Sequence, residues 1–290
     1  MEKQFYASRP FIVGKSNVND RGADARPVEE TMTQVLTHEW VNPEYKYLVV
    51  RGSPKSLTAK PGQFFHILCP SPDAGELWFR RPQSVYAVNP GDGTIEFLYK
   101  CVGRGTYGLA TLEPGDDCNM VGPLGVGFTL DPASKHIVVL GRGVGLATLA
   151  PISQLAGEKN VGVTAILSAR DSNYVLSREK FEKIGADIIP VLDTDGSSSV
   201  DKVGAVVERL IAEKRADAFY TCGSNRLFKL MKTLGRKHGI PGQVAMEQVM
   251  ACGLGPCYVC VKTFEIDGEK VLRRVCIEGP VFDMQEAMGW

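Results

Sequence analysis

Four cysteines near the C-terminus, Cys252, Cys257, Cys260 and Cys276, stand in the order C-x4-C-x2-C with the fourth after a further fifteen residues, and this pattern restricts what the chain can fold into more than any other. In ACGLGPCYVC, Gly253, Gly255 and Pro256 mark a tight loop whose backbone can close around a compact inorganic object. The order matches the plant-type pattern for a 2Fe-2S cluster, in which each iron takes two thiolates and N–H groups point at the sulfurs. A tetrahedral zinc site uses the same ligands, but its knuckles usually come as two C-x2-C pairs, and the second pair is missing here. A disulfide framework belongs to short secreted chains, and this one has 290 residues.

With 33 basic and 33 acidic residues, nothing draws the whole molecule to nucleic acid or to an anionic membrane. At 44% hydrophobic the chain can bury large cores, and its length predicts at least two domains. No apolar run reaches the length of a membrane span, and MEKQFYASRPF lacks a hydrophobic signal core, so a cytoplasmic location is expected. Cys69, Cys101, Cys118 and Cys222 lie in apolar or Gly-rich contexts and read as free thiols. The four histidines show no metal-ligand or triad spacing.

Three textures follow a polar N-terminal extension, residues 1–30, that has no periodicity. From 31 to 131, short runs such as TQVLTHEWV, YKYLVVRG, PGQFFHIL and TIEFLYKCV alternate with turns such as NPGDG, which predicts an antiparallel sheet closed into a small barrel. From 132 to 245, the apolar runs HIVVLG, VGVTAILSA, ADIIPVL and DAFYTCG alternate with helical segments, which predicts a doubly wound parallel sheet. Residues 246–290 form the cysteine-bearing cluster domain; Trp290 caps its last strand or packs over a cofactor.

Gly141, Gly143 and Gly145 fall at the first strand-to-helix turn of the parallel sheet, where a pyrophosphate can approach backbone N–H groups and a helix N-terminus. The other reading of these glycines is a purely structural turn. At the end of the second parallel strand no acidic residue awaits a ribose, and Ser168 with Arg170 could hold a 2′-phosphate, leaving NADP open beside NAD.

Taken together, the chain resembles the ferredoxin-reductase superfamily, and within it the electron-transfer subunits of NAD-dependent (type B) dihydroorotate dehydrogenase. The resemblance runs from about residue 31 to the C-terminus. It is carried by RRPQSV at 80–85, LYKCVGRGT at 98–106, VGPLGVGF at 121–128, the glycine turn at 141–145, DTDGS at 193–197, TCGSNRLFKLM at 221–231, the cysteine loop and VCIEGPVF at 275–282. It implies that the barrel binds FAD through the strand Arg81, Pro82, Gln83 and Ser84, with Arg81 on the pyrophosphate and Ser84 near flavin N5. An arginine suits that place because its planar fork matches phosphate oxygens.

The same resemblance implies that Leu98, Tyr99 and Lys100 line the flavin and that Gly105 and Thr106 donate to its phosphates. Cys222 and Gly223 would lie beside the nicotinamide, with Cys222 and Ser84 shaping hydride transfer; Cys222 also reads as a small core residue. It favours NAD. Gln83 stands where an apolar or aromatic residue is common, and Val249, two residues past Glu247, where an arginine is common.

The function so implied is a relay among NAD(H), FAD and a 2Fe-2S cluster. Its partner would be a catalytic subunit carrying FMN that oxidises dihydroorotate to orotate in pyrimidine biosynthesis. The alternatives are a homologous FAD and 2Fe-2S subunit of another complex, of dihydropyrimidine or NADH:ferredoxin type, a redox-sensing module without flavin, and a free-standing diaphorase.

Overall fold

The computed structural model describes residues 28–71 and 79–289. The extension up to residue 27 and Trp290, with the readings attached to them, lie outside the described residues.

The first domain contains strands β1 (Glu29–Asn42), β2 (Tyr45–Arg51), β3 (Phe64–Ile67), β4 (Arg81–Ser84), β5 (Ala87–Asn89), β6 (Thr94–Lys100) and β7 (Asp117–Leu124), with a short helix α1 (Arg104–Leu109). All pairings are antiparallel, in the order β4-β3-β7-β1-β2-β6-β5. The two edge strands are neighbours in the chain. Val85 N–H donates to Gln63 O at 2.9 Å and Tyr86 N–H to Glu96 O at 2.8 Å, so the sheet turns onto itself as the alternating sequence predicts. Val35, Leu48, Phe65, Ile67, Phe97 and Tyr99 fill the interior.

The second sheet begins with β8 (His136–Arg142), followed by α2 (Gly145–Glu158), β9 (Gly162–Ala169), α3 (Arg178–Lys183) and β10 (Asp187–Leu192). After α4 (Val200–Ala212) come β11 (Ala218–Cys222), α5 (Asn225–His238) and β12 (Gly242–Ala245). The order β10-β9-β8-β11-β12 is parallel throughout and reverses direction between β8 and β11, a doubly wound topology. Val203, Val207 and Leu210 on α4 and Leu227, Phe228 and Met231 on α5 recur at helical spacing and bury one face of each helix against this sheet.

The C-terminal segment comprises the hairpin β13 (Val261–Ile266) and β14 (Glu269–Arg274), a helical turn α6 (Val275–Glu278) and β15 (Val281–Asp283). β15 pairs antiparallel with β12, so the cysteine-bearing C-terminal segment supplies an edge strand to the parallel sheet. Two motifs of the sequence meet at this point. Val126 N–H in VGPLGVGF donates to Gly279 O in VCIEGPVF at 2.6 Å, and Met246 N–H donates to Pro280 O at 2.9 Å. Phe264 stacks on Phe282 with ring centroids 4.3 Å apart, fixing the hairpin to the sheet.

Candidate electron-transfer site

In β3, Phe65 and Ile67 enter the barrel while Phe64 and His66 face outward, the period-two pattern of a strand. Residues opposite each other on paired strands share a side, so Ser84 and Pro82 accompany Phe64 and His66 outside, whereas Gln83 pairs with Phe65 and is buried. Gln83 is thus packed by the barrel interior.

Arg81 folds over the start of α1. A Cβ on Gly105 would lie 2.4 Å from Arg81 Nε, so only glycine lets the guanidinium lie on this backbone. First-turn N–H groups of a helix lack intrahelical acceptors, and a cation resting on them makes a cradle with the chemistry a pyrophosphate needs. Thr106 contributes differently from expectation. Its hydroxyl accepts from Val102 N–H at 2.9 Å and Gly103 N–H at 3.2 Å and donates to Gly103 O at 3.1 Å, so it shapes the loop that presents the backbone donors.

Leu98, Tyr99 and Lys100 do not face one site. Leu98 looks outward into a cleft of about 590 Å³ shared with Trp40, Tyr47, Tyr86, Leu176 and Lys180. Tyr99 points into the barrel, where its hydroxyl donates to His38 Nε2 at 2.8 Å while His38 Nδ1–H donates to Leu112 O at 2.8 Å. Strand alternation forces this opposition, and the expectation for the Tyr99 side chain is corrected accordingly. Lys100 is held by Glu44 at 2.8 Å at the edge of the nucleotide domain.

At the switch point, Gly141 on β8 pairs with Cys222 on β11. A Cβ on Gly145 would meet Cys222 O at 2.5 Å, and one on Gly223, whose φ is +85°, would meet Arg142 O at 2.3 Å. The two glycines let the ends of the central strands interlock beneath the first turn of α2. The third, Gly143, leaves a gap faced by the barrel's Tyr45 hydroxyl, 3.1 Å from where a Cβ would sit. Cys222 is 2% exposed; burial, reinforced by the Glu247 carboxylate, pushes its thiol up, so it is a protonated thiol in the wall of the site rather than a nucleophile. Glu247 is solvent-accessible yet crowded by protein, which pushes its carboxyl up as well.

Ser168 and Arg170, expected to act together, are separated. Ser168 is fully buried and accepts from Arg142 at 3.0 Å, whereas Arg170 turns to Glu44 at 3.0 Å and stacks on Tyr174. Arg142 instead forks onto Asp193 at 3.1 and 2.5 Å, and Arg226 approaches the same carboxylate at 3.3 Å. Hydrogen bonds from Arg142 and Ser198 hold the Asp193 carboxyl down at about 2. This acidic group beyond β10 was not singled out for a role in the sequence, because its position beside β9 follows only from the fold.

None of the eight cysteines is in a disulfide. The four of the C-terminal pattern fall into two pairs. Cys260 and Cys276 are buried with their sulfurs 3.1 Å apart, and Cys252 and Cys257 interact in the loop above, Cys257 exposed. Among the described residues no three His, Cys, Asp or Glu side chains converge on one ion. Two pairs suit two irons sharing bridging sulfides, each iron taking two thiolates. The backbone supports ionised sulfur: Leu254 N–H donates to Cys252 at 3.4 Å and Cys276 N–H to Cys260 at 3.4 Å. N–H groups of Val259, Cys252 and Ala251 pull the Cys257 thiol down together with the neighbouring Cys252 side chain.

The cysteine loop rests on the strand pair β3 and β4. Gly253, with φ +69°, places its backbone so that a Cβ would lie 2.9 Å from both Nδ1 and Cε1 of His66. That histidine is 1% exposed, and burial together with Arg80 and Arg81 pulls its imidazole down to about 4. Reading histidines only for metal or triad spacing passes over it; the signal available was one polar residue in the apolar run FFHIL.

Residues 247–287 match the family described as the iron-sulfur cluster binding domain of dihydroorotate dehydrogenase B. The chain is 31% identical over 249 residues to the dihydroorotate dehydrogenase B (NAD(+)) electron transfer subunit of Desulforamulus reducens, covering 86% of this chain and 94% of that one. It belongs to that family.

The subunit of the same name from Enterococcus faecalis is 30% identical over 90% of this chain and 98% of its own length. Among solved structures, an NADH-dependent reduced ferredoxin–NADP oxidoreductase studied for flavin-based electron bifurcation is similar with a TM-score of 0.73 and 26% identity. It aligns with 88% of this chain and 89% of its own. A cytochrome P450 reductase from Amycolatopsis, at TM-score 0.59 and 21% identity over 73% of this chain and 67% of its own, shares the fold. The family's ferredoxin-reductase-like barrel and nucleotide sheet are thus both present, and no helix among the described residues is long and apolar enough to cross a membrane.

Proposed function

We propose that this chain is an electron-transfer subunit that relays electrons between NAD(H), FAD and a 2Fe-2S cluster, serving an FMN-containing catalytic subunit that oxidises dihydroorotate to orotate. The observation that carries the reading is the packing of the paired-cysteine loop directly on the strand pair bearing Arg81 to Ser84, through Gly253 and His66. Membership of the dihydroorotate dehydrogenase B family points to the same reaction.

When bound, FAD exchanges a hydride with the nicotinamide and single electrons with the cluster. Arg81 and the backbone at Gly105 and Thr106 would hold the flavin pyrophosphate, and Ser84, half-buried on the outward side of β4, would hydrogen-bond the flavin ring. The turn Gly141 to Gly145 takes the dinucleotide pyrophosphate, and Cys222 with Gly223 forms the wall against which the nicotinamide lies. Membership of a family named for NAD(+) favours NAD as the dinucleotide. Cys252 with Cys257 and Cys260 with Cys276 would hold one iron each.

Around the exposed Cys257 lie Val249, Leu254, Tyr258 and Val259, apolar residues 73%, 53%, 54% and 48% exposed. An apolar rim about the most accessible ligand suits a protein partner that brings its own redox centre close. Anaerobic co-purification of the tagged chain from its native cells tests the reading. Flavin and 2Fe-2S absorption together with an FMN protein that oxidises dihydroorotate is the expected result. The same cofactors beside a different oxidoreductase would replace the substrate, and a flavin-free chain would overturn the relay.

A further inference from the structure

Both ring nitrogens of His66 lack a hydrogen-bond partner among the described residues, although the side chain is 1% exposed. A buried polar group without a partner is costly, so one found in a folded core calls for a group that completes it. The other three histidines are satisfied within the chain: His38 by Tyr99 and Leu112, His136 by Thr164, His238 by Glu208. Only His66 stands between the outward face of the flavin strand, opposite Pro82, and the cluster loop at Gly253.

The edge carrying Nδ1 and Cε1 is turned to the residue next to Cys252, and Gly253 has no side chain to intervene. A neutral imidazole has one N–H donor and one acceptor nitrogen. Cluster sulfurs and thiolates accept hydrogen bonds, and donors aimed at them raise the potential of the cluster because the added electron is stabilised. Burial first, and then Arg80 and Arg81 on the strand side, keep the ring neutral.

We propose that His66 donates an N–H hydrogen bond to the iron–sulfur cluster from the flavin side, fixing the loop against β3 and setting the cluster potential within reach of the flavin. The inference rests on the reading that the four cysteines hold a 2Fe-2S cluster. His66→Phe keeps a planar ring and removes the donor, and His66→Gln restores an N–H on a side chain of similar reach.

The test is an anaerobic redox titration of the purified full chain, followed by paramagnetic resonance of the cluster and by flavin absorbance. His66→Phe is expected to shift the cluster midpoint to a more negative value and alter its g-values, with the flavin midpoint unmoved, and His66→Gln to return most of the shift. An unmoved cluster potential in His66→Phe, or a shift confined to the flavin, overturns the proposal. Should His66→Phe fail to load iron, electron–nuclear double resonance on the wild-type protein decides. An exchangeable proton coupled to the reduced cluster, with isotope-labelled histidine nitrogen beside it, supports the donor, and absence of that nitrogen overturns it. A wild-type chain without any 2Fe-2S signal would instead remove the reading on which the inference stands.

Discussion

Arg81 and Gly105 show how one side chain and one missing side chain make the cradle proposed for FAD. The Arg81 guanidinium lies on Gly105, and neither an alanine at 105 nor a lysine at 81 would reproduce the arrangement, the first by collision and the second by losing the planar fork. With charge-assisted hydrogen bonds each worth about 1.5–3 kcal/mol, Arg81→Leu should weaken FAD binding roughly 10- to 100-fold. Fluorescence titration of the deflavinated protein measures this; unchanged affinity would remove Arg81 from the pyrophosphate site. The cysteine quartet was legible in the sequence because a cluster fixes ligand type and spacing, whereas the place of Arg81 was implied by the family resemblance. Tyr99, Thr106 and Arg170 were not, because a side chain's direction depends on strand alternation, local capping and a distant carboxylate.

The elements are joined by contacts that no local pattern announces. Glu44, on the turn between β1 and β2, reaches Lys100 on β6 at 2.8 Å and Arg170 beyond β9 at 3.0 Å. Lys180 on α3 crosses to Glu96 on β6 at 2.7 Å, where the carboxylate is 11% exposed. Burial alone would push the Glu96 carboxyl up, but Lys180, Asn89 and Tyr47 together outweigh it and leave it below its ordinary 4.5. A carboxyl lowered by folding stabilises the native state above its unfolded pKa, and that contribution is lost as pH falls through the folded value. Glu96→Gln should therefore cost about 1–3 kcal/mol near pH 7, a difference that shrinks as pH is taken below about 4.5. Denaturant unfolding across pH measures it, and a deficit independent of pH would contradict the ion-pair account. The barrel and parallel sheet were legible from their periods of alternation and apolar runs. The β15 edge strand was not, because a run of three residues gains its place only from β12 and the Val126 contact.

Across the whole molecule, three units that sequence texture separates are built into one another: the barrel's Tyr45 faces the glycine turn, the tail completes the parallel sheet, and the cysteine loop sits on β3 at His66. In the relay proposed above, electrons entering at the switch point would cross this shared junction to the cluster loop, whose exposed apolar residues include Leu254, Tyr258 and Val259. Membership of the dihydroorotate dehydrogenase B family supplies the chemistry at each end, and the geometry supplies the order. The most direct measurement is anaerobic mixing of the reconstituted chain with NADH, and separately with dihydroorotate, while flavin bleaching and the cluster's paramagnetic signal are followed. NADH should bleach the flavin and raise the cluster signal in the chain alone, and dihydroorotate should do so only once the FMN subunit is added. Flavin reduction by NADH that never reaches the cluster, or dihydroorotate acting without a partner, would contradict the relay.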